Sequence, residues 1–351
     1  MTKLHVDLAE NSYDITIENG LLRDIAAPLA KVYQGARVFV VTDEHVHALY
    51  GGAVTRQLGA AGYEVHTLVL PPGEATKAFA TMSGVYDAMA QAKLTRKDLV
   101  LTLGGGVVGD LGGFAAATYL RGLPFVQVPT SLLAQVDSSV GGKVGVDLPQ
   151  GKNLVGAFYQ PKAVLIDPES LSTLSDRFFR DGMAEVIKYG CIEDAAFFRM
   201  LETLDGRDGA TARLAEIIAT CCTIKKTMVE RDERDMGLRM KLNFGHTIGH
   251  AVEKCHDFQG YTHGEAVAIG MVEMTKRTER RGLTEAGTAQ RIEALCQRYG
   301  LPVQDETADF TQLAAAITMD KKNLGRELKI VALEKIGKSR LVDTDPSFLE
   351  W

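Results

Sequence analysis

Residues 99–122 read LVLTLGGGVVGDLGGFAAATYLRG. Leu99 to Leu103 is a short apolar run of strand character, and it opens directly into a glycine cluster followed by small apolar residues of helical character. Gly104, Gly106 and Gly109 fit G-x-G-x-x-G, in which glycine lets backbone N–H groups approach a pyrophosphate at a helix N-terminus. Alone the pattern is weak; its place between a strand and a helix gives it weight. The loop follows the third β/α unit, whereas a Rossmann domain carries it after the first strand. That departure argues against an ordinary short-chain or lactate-type dehydrogenase.

Toward the N-terminus the same alternation recurs. A helix is expected near Gly20 to Lys31, a strand at Arg37 to Thr42 and a helix near Gly52 to Ala61. A strand at Glu64 to Leu70 and a helix near Ala80 to Ala92 follow. Strands alternating with helices predict a parallel sheet covered on both faces. Asp43, at the end of its strand, suits either the ribose of a dinucleotide or a helix N-cap.

Toward the C-terminus, residues 125–161 are polar and rich in glycine, and they read as a long functional loop. From about Ser175 the pattern becomes helical: Asp176 to Tyr189, Ala195 to Leu204, Ala210 to Val229, Gln290 to Gly300 and Phe310 to Met319. A small hairpin with its turn at Ile336 to Lys338 closes the chain. The expected architecture is an α/β dinucleotide-binding, Rossmann-like domain over residues 1–174 and an all-α domain over 175–351, the latter carrying the hairpin.

Composition removes several classes. No apolar run approaches the ~20 residues that span a bilayer. The opening MTKLHVDLAENSYDITI alternates like a strand and lacks the apolar core of a signal peptide, so a cytoplasmic location is expected. A net charge of −6 opposes nonspecific nucleic-acid binding. Five cysteines without a CxxC pair argue against both a disulfide framework and a thiolate zinc site.

The helical half holds the densest chemistry, in residues 243–271, NFGHTIGHAVEKCHDFQGYTHGEAVAIGM. His246 and His250 are four apart and share a helix face, and His263 opens the next helical pattern. Three histidines with a remote carboxylate, for which Glu185 in AEVIKYG is the best candidate, would make a divalent metal site with an open position. A lone histidine in an apolar helix is ordinarily a core residue, but three together are not. Spacing does not choose which of them ligate. Glu185 and Lys188, three apart, are either functional or a solvated ion pair. Arg239, Asn243 and His246 fall at helical spacing, which predicts one shared face.

Together these stretches resemble the sugar phosphate cyclases. The matching segments are PGEATK, GGGVVGDLGGFAAATYLRG, PTSLLAQVDSSVGGKVGVDLPQGKN, GAFYQP, AEVIKYG, GLRMKLNFGHTIGHA and HGEAVAIGM, from about residue 72 to 271. DKKN and the final hairpin extend the match to about 333. The resemblance implies an NAD-dependent, zinc-dependent (or cobalt-dependent) homodimer with its active site in a cleft.

By motif match, Glu185, His246 and His263 would ligate the metal, with His250 a hydrogen-bonding neighbour. Asp43, Glu74, Lys77, Gly105, Gly106, Val107, Val108, Gly109, Asp110, Thr130, Ser131, Ser170, Leu171, Ser172 and Thr173 would line the NAD site, with Lys143 and Lys152 beside them. Asp137, Lys143, Lys152, Asn153, Lys188, Lys225, Arg239, Asn243 and His250 would surround a phosphorylated sugar acid. Arg121 would reach it across the dimer. Lys321, Lys322 and Lys329 compete for one further contact, and Asp235 stands where the family usually has glutamate.

The implied reaction converts 3-deoxy-D-arabino-heptulosonate 7-phosphate to 3-dehydroquinate and phosphate. It runs through oxidation, β-elimination, reduction, ring opening and aldol closure, without net consumption of NAD. A sister cyclase acting on another sugar phosphate, a metal-dependent alcohol or glycerol phosphate dehydrogenase, and a noncatalytic dinucleotide-binding protein are the alternatives.

Overall fold

The computed structural model describes residues 1–257, 259–305, 328–345 and 348. The segments expected as a helix at Phe310 to Met319 and as the DKKN loop, with Lys321 and Lys322, lie outside the described residues. Two compact units emerge: Met1–Ser175 with Lys225–Arg234, and Asp176–Ile224 with the described residues from Asp235 onward.

The first unit is built on nine strands: β1 (Thr2–Val6), β2 (Tyr13–Ile17), β3 (Arg37–Asp43), β4 (Glu64–Leu70), β5 (Leu99–Gly104), β6 (Phe125–Pro129), β7 (Lys143–Leu148), β8 (Gly151–Phe158) and β9 (Ala163–Ile166). Seven form one sheet in the order β1-β2-β9-β6-β5-β3-β4, and its pairs from β2 to β4 are parallel. β3 and β5 are buried almost throughout because helices cover both faces. One face packs on α1 (Ala26–Val32) and α3 (Gly52–Ala60), which follows the one-turn α2 (Glu44–Val46); the other packs on α4 (Thr81–Gln91) and α5 (Gly106–Thr118). Burying each valine, leucine or phenylalanine in these layers contributes about 1.5–3 kcal/mol.

The chain runs from β3 outward to β4, then returns past β3 to β5, β6 and β9. The direction of winding therefore reverses between β3 and β5, and that reversal is where open α/β sheets bind ligands. It explains why the glycine loop follows β5: this strand forms one wall of the switch point, and Asp43 ends the strand forming the other.

Residues 125–161 correct the expectation of a loop. They hold β6, a π-helical turn at Ala134–Ser138 and the antiparallel β7–β8 hairpin. Gly145 faces β8 where a Cβ would meet the Val155 carbonyl oxygen at 2.7 Å, so two strands cross closely where composition suggested irregular chain.

The second unit is helical: α6 (Asp176–Ile192), α7 (Ala195–Thr203), α8 (Gly206–Thr211), the first part of α9 (Leu214–Arg231), α10 (His246–Cys255), α11 (His263–Arg280) and α12 (Thr288–Arg298), with the hairpin β10 (Leu328–Lys335) and β11 (Lys338–Thr344). Its centre is the packing of α11 on α10 and α6. A Cβ at Gly270 would overlap the Gly245 carbonyl oxygen, and one at Gly264 would overlap the Asp181 carbonyl oxygen. Only glycine permits these backbones to approach so closely.

Arg239 and Asn243 do not continue the α10 face. Leu238–Asn243 is a separate 3₁₀ turn, and the chain bends at Phe244 and at Gly245, whose φ is +81°. Gly245 resets the chain direction before α10 begins, which removes the helical spacing between Asn243 and His246.

Gly270→Ala is expected to destabilise the protein by about 1–3 kcal/mol or more through overpacking of α11 on α10. Thermal unfolding followed by circular dichroism checks this, and an unchanged midpoint would contradict the packing described.

Candidate active site

Three side chains from three elements converge in the helical unit. His246 is the first residue of α10, His263 is the first of α11, and Glu185 sits in mid-α6 with no exposed surface. A capping box fixes the start of α11: the Glu265 N–H donates to the Thr262 hydroxyl at 3.4 Å, and the Thr262 N–H donates to the Glu265 carboxylate at 2.7 Å. The Gly264 N–H donates to Asp181 Oδ1 at 2.6 Å, tying the same turn to α6.

His246 Nε2 and His263 Nε2 stand 3.6 and 3.7 Å from one oxygen, Glu185 Oε1. These separations exceed hydrogen-bond length. They approach the roughly 3.4 Å expected between neighbouring ligands when N and O donors bind zinc tetrahedrally at about 2.0–2.1 Å. Glu185 Oε2 pairs with the Lys188 ammonium, so the pair of residues three apart is deeply buried rather than solvated.

The tautomers suit the same purpose. His246 Nδ1 lies 3.1 Å from the Phe244 carbonyl oxygen, which only accepts, so Nδ1 carries the proton and Nε2 offers its lone pair. Burial, aided by the Lys188 charge, pushes His246 well below the ordinary histidine range and keeps it neutral. Burial pulls His263 down as well, but the Glu253 and Glu185 carboxylates outweigh it and hold that ring above the ordinary value. Metal entry therefore competes with a proton at His263. A second group of possible ligands, His250, Glu253 and His263, shares this ring, with His250 exposed. The donor set of Glu185, His246 and His263 fits a divalent ion.

In the first unit the expected NAD residues gather at the carboxyl ends of the parallel strands. Asp43 ends β3, and Glu74 and Lys77 follow β4. Gly105 caps α5 directly after β5, and Gly106 to Asp110 form the first turn of α5 where a loop was expected. Thr130 and Ser131 follow β6, and Ser170 to Thr173 lie in a 3₁₀ turn after β9. Asp43 is an N-cap, accepting from the Val46 N–H at 3.0 Å. Lys77 Nζ lies 2.5 Å from Asp110 Oδ2. Burial works against the Lys77 charge, and the Asp110 and Glu74 carboxylates outweigh it, holding the ammonium above its ordinary value. Leu171 is core, while Ser170 and Thr173 bond Tyr50, the Ser170 carbonyl at 3.0 Å and the Thr173 hydroxyl at 2.8 Å.

Of the expected substrate residues, Lys225 and Asp137 meet, with Nζ to Oδ1 at 2.9 Å. Lys143 is exposed on β7, and Asn153 takes a left-handed conformation in β8, donating its N–H to Asp147 Oδ1 at 2.6 Å. Arg121 is exposed and left-handed, the last residue of the turn that follows α5. Arg239 is buried in the second unit, where Asn243 and His250 are exposed. Lys329 pairs with Asp343 across the terminal hairpin at 3.1 Å. The sequence reading missed Asp181 and Glu253. Both were available as helical spacing, Asp181 one turn before Glu185 and Glu253 seven residues after His246.

Sugar phosphate cyclases are among the solved structures that share this architecture; a probable glycerol dehydrogenase and a butanol dehydrogenase share it at lower TM-scores of 0.60 and 0.65. A 2-deoxy-scyllo-inosose synthase solved with carbaglucose-6-phosphate, NAD+ and Co2+ superposes with a TM-score of 0.89 at 25% identity, covering 99% of this chain and 98% of that one. The 2-epi-5-epi-valiolone synthase of Streptomyces hygroscopicus subsp. jinggangensis, solved with NAD+ and Zn2+, gives 0.87 at 29% identity, with 98% and 96% covered.

Sequence then selects the branch. Residues 67–181 match the 3-dehydroquinate synthase N-terminal family model and residues 182–323 the C-terminal one. A 3-dehydroquinate synthase of Clostridium beijerinckii is 53% identical over 348 residues, 99% of each chain. The chain belongs to the 3-dehydroquinate synthase family.

Glu185→Gln and His263→Ala are each expected to lower bound zinc from one per chain to well below one, measured by metal analysis after dialysis. One tightly held zinc in either variant would refute the ligand set.

Proposed function

We propose that this protein is a 3-dehydroquinate synthase, an enzyme that converts 3-deoxy-D-arabino-heptulosonate 7-phosphate to 3-dehydroquinate and phosphate. In class it is a phosphate-eliminating carbon–oxygen lyase. The observation that carries the reading is the convergence of His246 Nε2 and His263 Nε2 on Glu185 Oε1, at 3.6 and 3.7 Å, in a chain of this family.

Residues 1–174 serve as the NAD-binding domain and residues 175–351 as the metal- and substrate-binding domain. When bound, NAD supplies hydride acceptance and return, and the divalent ion polarises the substrate oxygens beside it. The remaining work falls to the chain itself. Lys77 and Asp110 shape the glycine loop for the dinucleotide, with Asp43 at the opposite wall of the switch point. In the first unit Lys143, Lys152 and Asn153 bind anionic substrate groups, while Lys225 holds Asp137 in place. In the second, Lys188 and Arg239 supply buried positive charge, and exposed Asn243 and His250 give hydrogen-bonding and proton-transfer groups. A substrate carrying both a carboxylate and a phosphate accounts for these cations in a chain of net charge −6. The enzyme works as a cytoplasmic homodimer to which Arg121 contributes across the subunit boundary.

The test follows phosphate release from the heptulosonate phosphate with NAD and zinc, recording NADH absorbance in the same cuvette. Phosphate release with flat NADH absorbance and a product accepted by dehydroquinate dehydratase is the expected result. NADH accumulation without phosphate would identify a dehydrogenase, and turnover confined to another sugar phosphate would identify a sister cyclase. Arg239→Ala is expected to lower kcat/KM roughly 10–100-fold, the loss of one charge-assisted hydrogen bond of about 1.5–3 kcal/mol. Unchanged kinetics in a folded variant would remove Arg239 from the substrate site.

A further inference from the structure

His263 lies between two carboxylates. Its Nε2 faces Glu185 Oε1 at 3.7 Å, and its Nδ1 faces Glu253 Oε2 at 3.6 Å, both beyond hydrogen-bond length, so that a shift of about half an ångström would close the Glu253 contact to a hydrogen bond. Glu253 belongs to α10, is 3% exposed, and shares a helix face with His246 and His250. Burying a carboxylate is costly unless it has a strongly polar partner. The two ring nitrogens are not equivalent in this setting. The Nε2 side already collects His246 Nε2, whose tautomer the Phe244 carbonyl sets, together with the fully buried Glu185. The Nδ1 side offers Glu253 and an exposed His250. A carboxylate accepting from Nδ1–H leaves the Nε2 lone pair for a cation and raises its basicity. For His246 the Phe244 carbonyl already fills that place.

We infer that Glu253 is a positioning residue for the metal site: its carboxylate holds His263 in the Nδ1–H tautomer and aims Nε2 at the point shared with His246 and Glu185. Asp181 fixes the same residue from the backbone side, through the Gly264 N–H. The two thus set the orientation of the His263 ring and the placement of its Cα. This inference rests on the metal reading given above. It adds that one ligand depends on a carboxylate that does not itself touch the ion.

The test measures zinc affinity by competition with a chromophoric chelator for the parent protein, Glu253→Gln, Glu253→Leu and Glu185→Gln, with thermal unfolding of each metal-free protein alongside. Glutamine keeps the shape and one acceptor oxygen without the charge, and leucine removes the acceptor. The expected result is one zinc per chain in both Glu253 variants. Affinity should weaken in the order Glu, Gln, Leu, by about 10–100-fold at the end of the series. Metal-free Glu253→Gln should unfold near the parent midpoint.

Affinity within twofold of the parent in both variants would overturn the inference. Complete loss of zinc in Glu253→Gln, with zinc retained in Glu185→Gln, would also overturn it by making Glu253 a ligand. Absence of zinc from the parent would instead defeat the metal reading itself.

Discussion

The helical unit depends on how closely the backbones of α6, α10 and α11 approach one another. Gly270 admits the Gly245 carbonyl, and Gly264 admits the Asp181 carbonyl, at distances that no side chain tolerates. That approach brings the first residue of α10, the first residue of α11 and the middle of α6 to one point. Helix starts are rigid places for ligands when capped, and α11 is capped by its Thr262–Glu265 box as well as by Asp181. Metal chemistry needs ligands held within fractions of an ångström, and glycine contacts between helices supply that precision more firmly than loops do.

The α/β unit solves a different problem by the same economy of backbone. Winding that reverses between β3 and β5 leaves a crevice at their carboxyl ends, and the chain sets its glycine loop on one wall and Asp43 on the other. Beside the glycine turn, buried Lys77 pairs with half-buried Asp110. A cofactor that is reduced and then reoxidised within one turnover has to stay in place throughout, which favours anchoring by backbone and buried pairs over exposed side chains.

Much of this was legible in the sequence because the signals were local. Strand–glycine–helix at residues 99–118, the apolar runs of β3 and β4, and the helical periodicity of α6, α7 and α12 each follow from neighbours within one element. What escaped depended on contacts distant in sequence or on a single dihedral. The β7–β8 hairpin was hidden because its glycines serve cross-strand closeness rather than flexibility. The supposed face shared by Arg239, Asn243 and His246 failed because the positive φ of Gly245 interrupts the helix. Choosing His263 over His250 was beyond spacing alone, since both fall in helical patterns and only the fold shows which Nε2 reaches Glu185. Glu253 and Asp181 went unread for the same reason, although each sits one or two turns from a ligand on its own helix.

The central claim is that two imidazoles and one carboxylate, and not three imidazoles, hold the metal. X-ray absorption spectroscopy of the zinc-loaded protein at the zinc edge tests it most directly, because outer-shell scattering counts histidine ligands. The account predicts a first shell of nitrogen and oxygen at about 2.0–2.1 Å with scattering from two imidazole rings. Scattering from three rings, or from one, would contradict it.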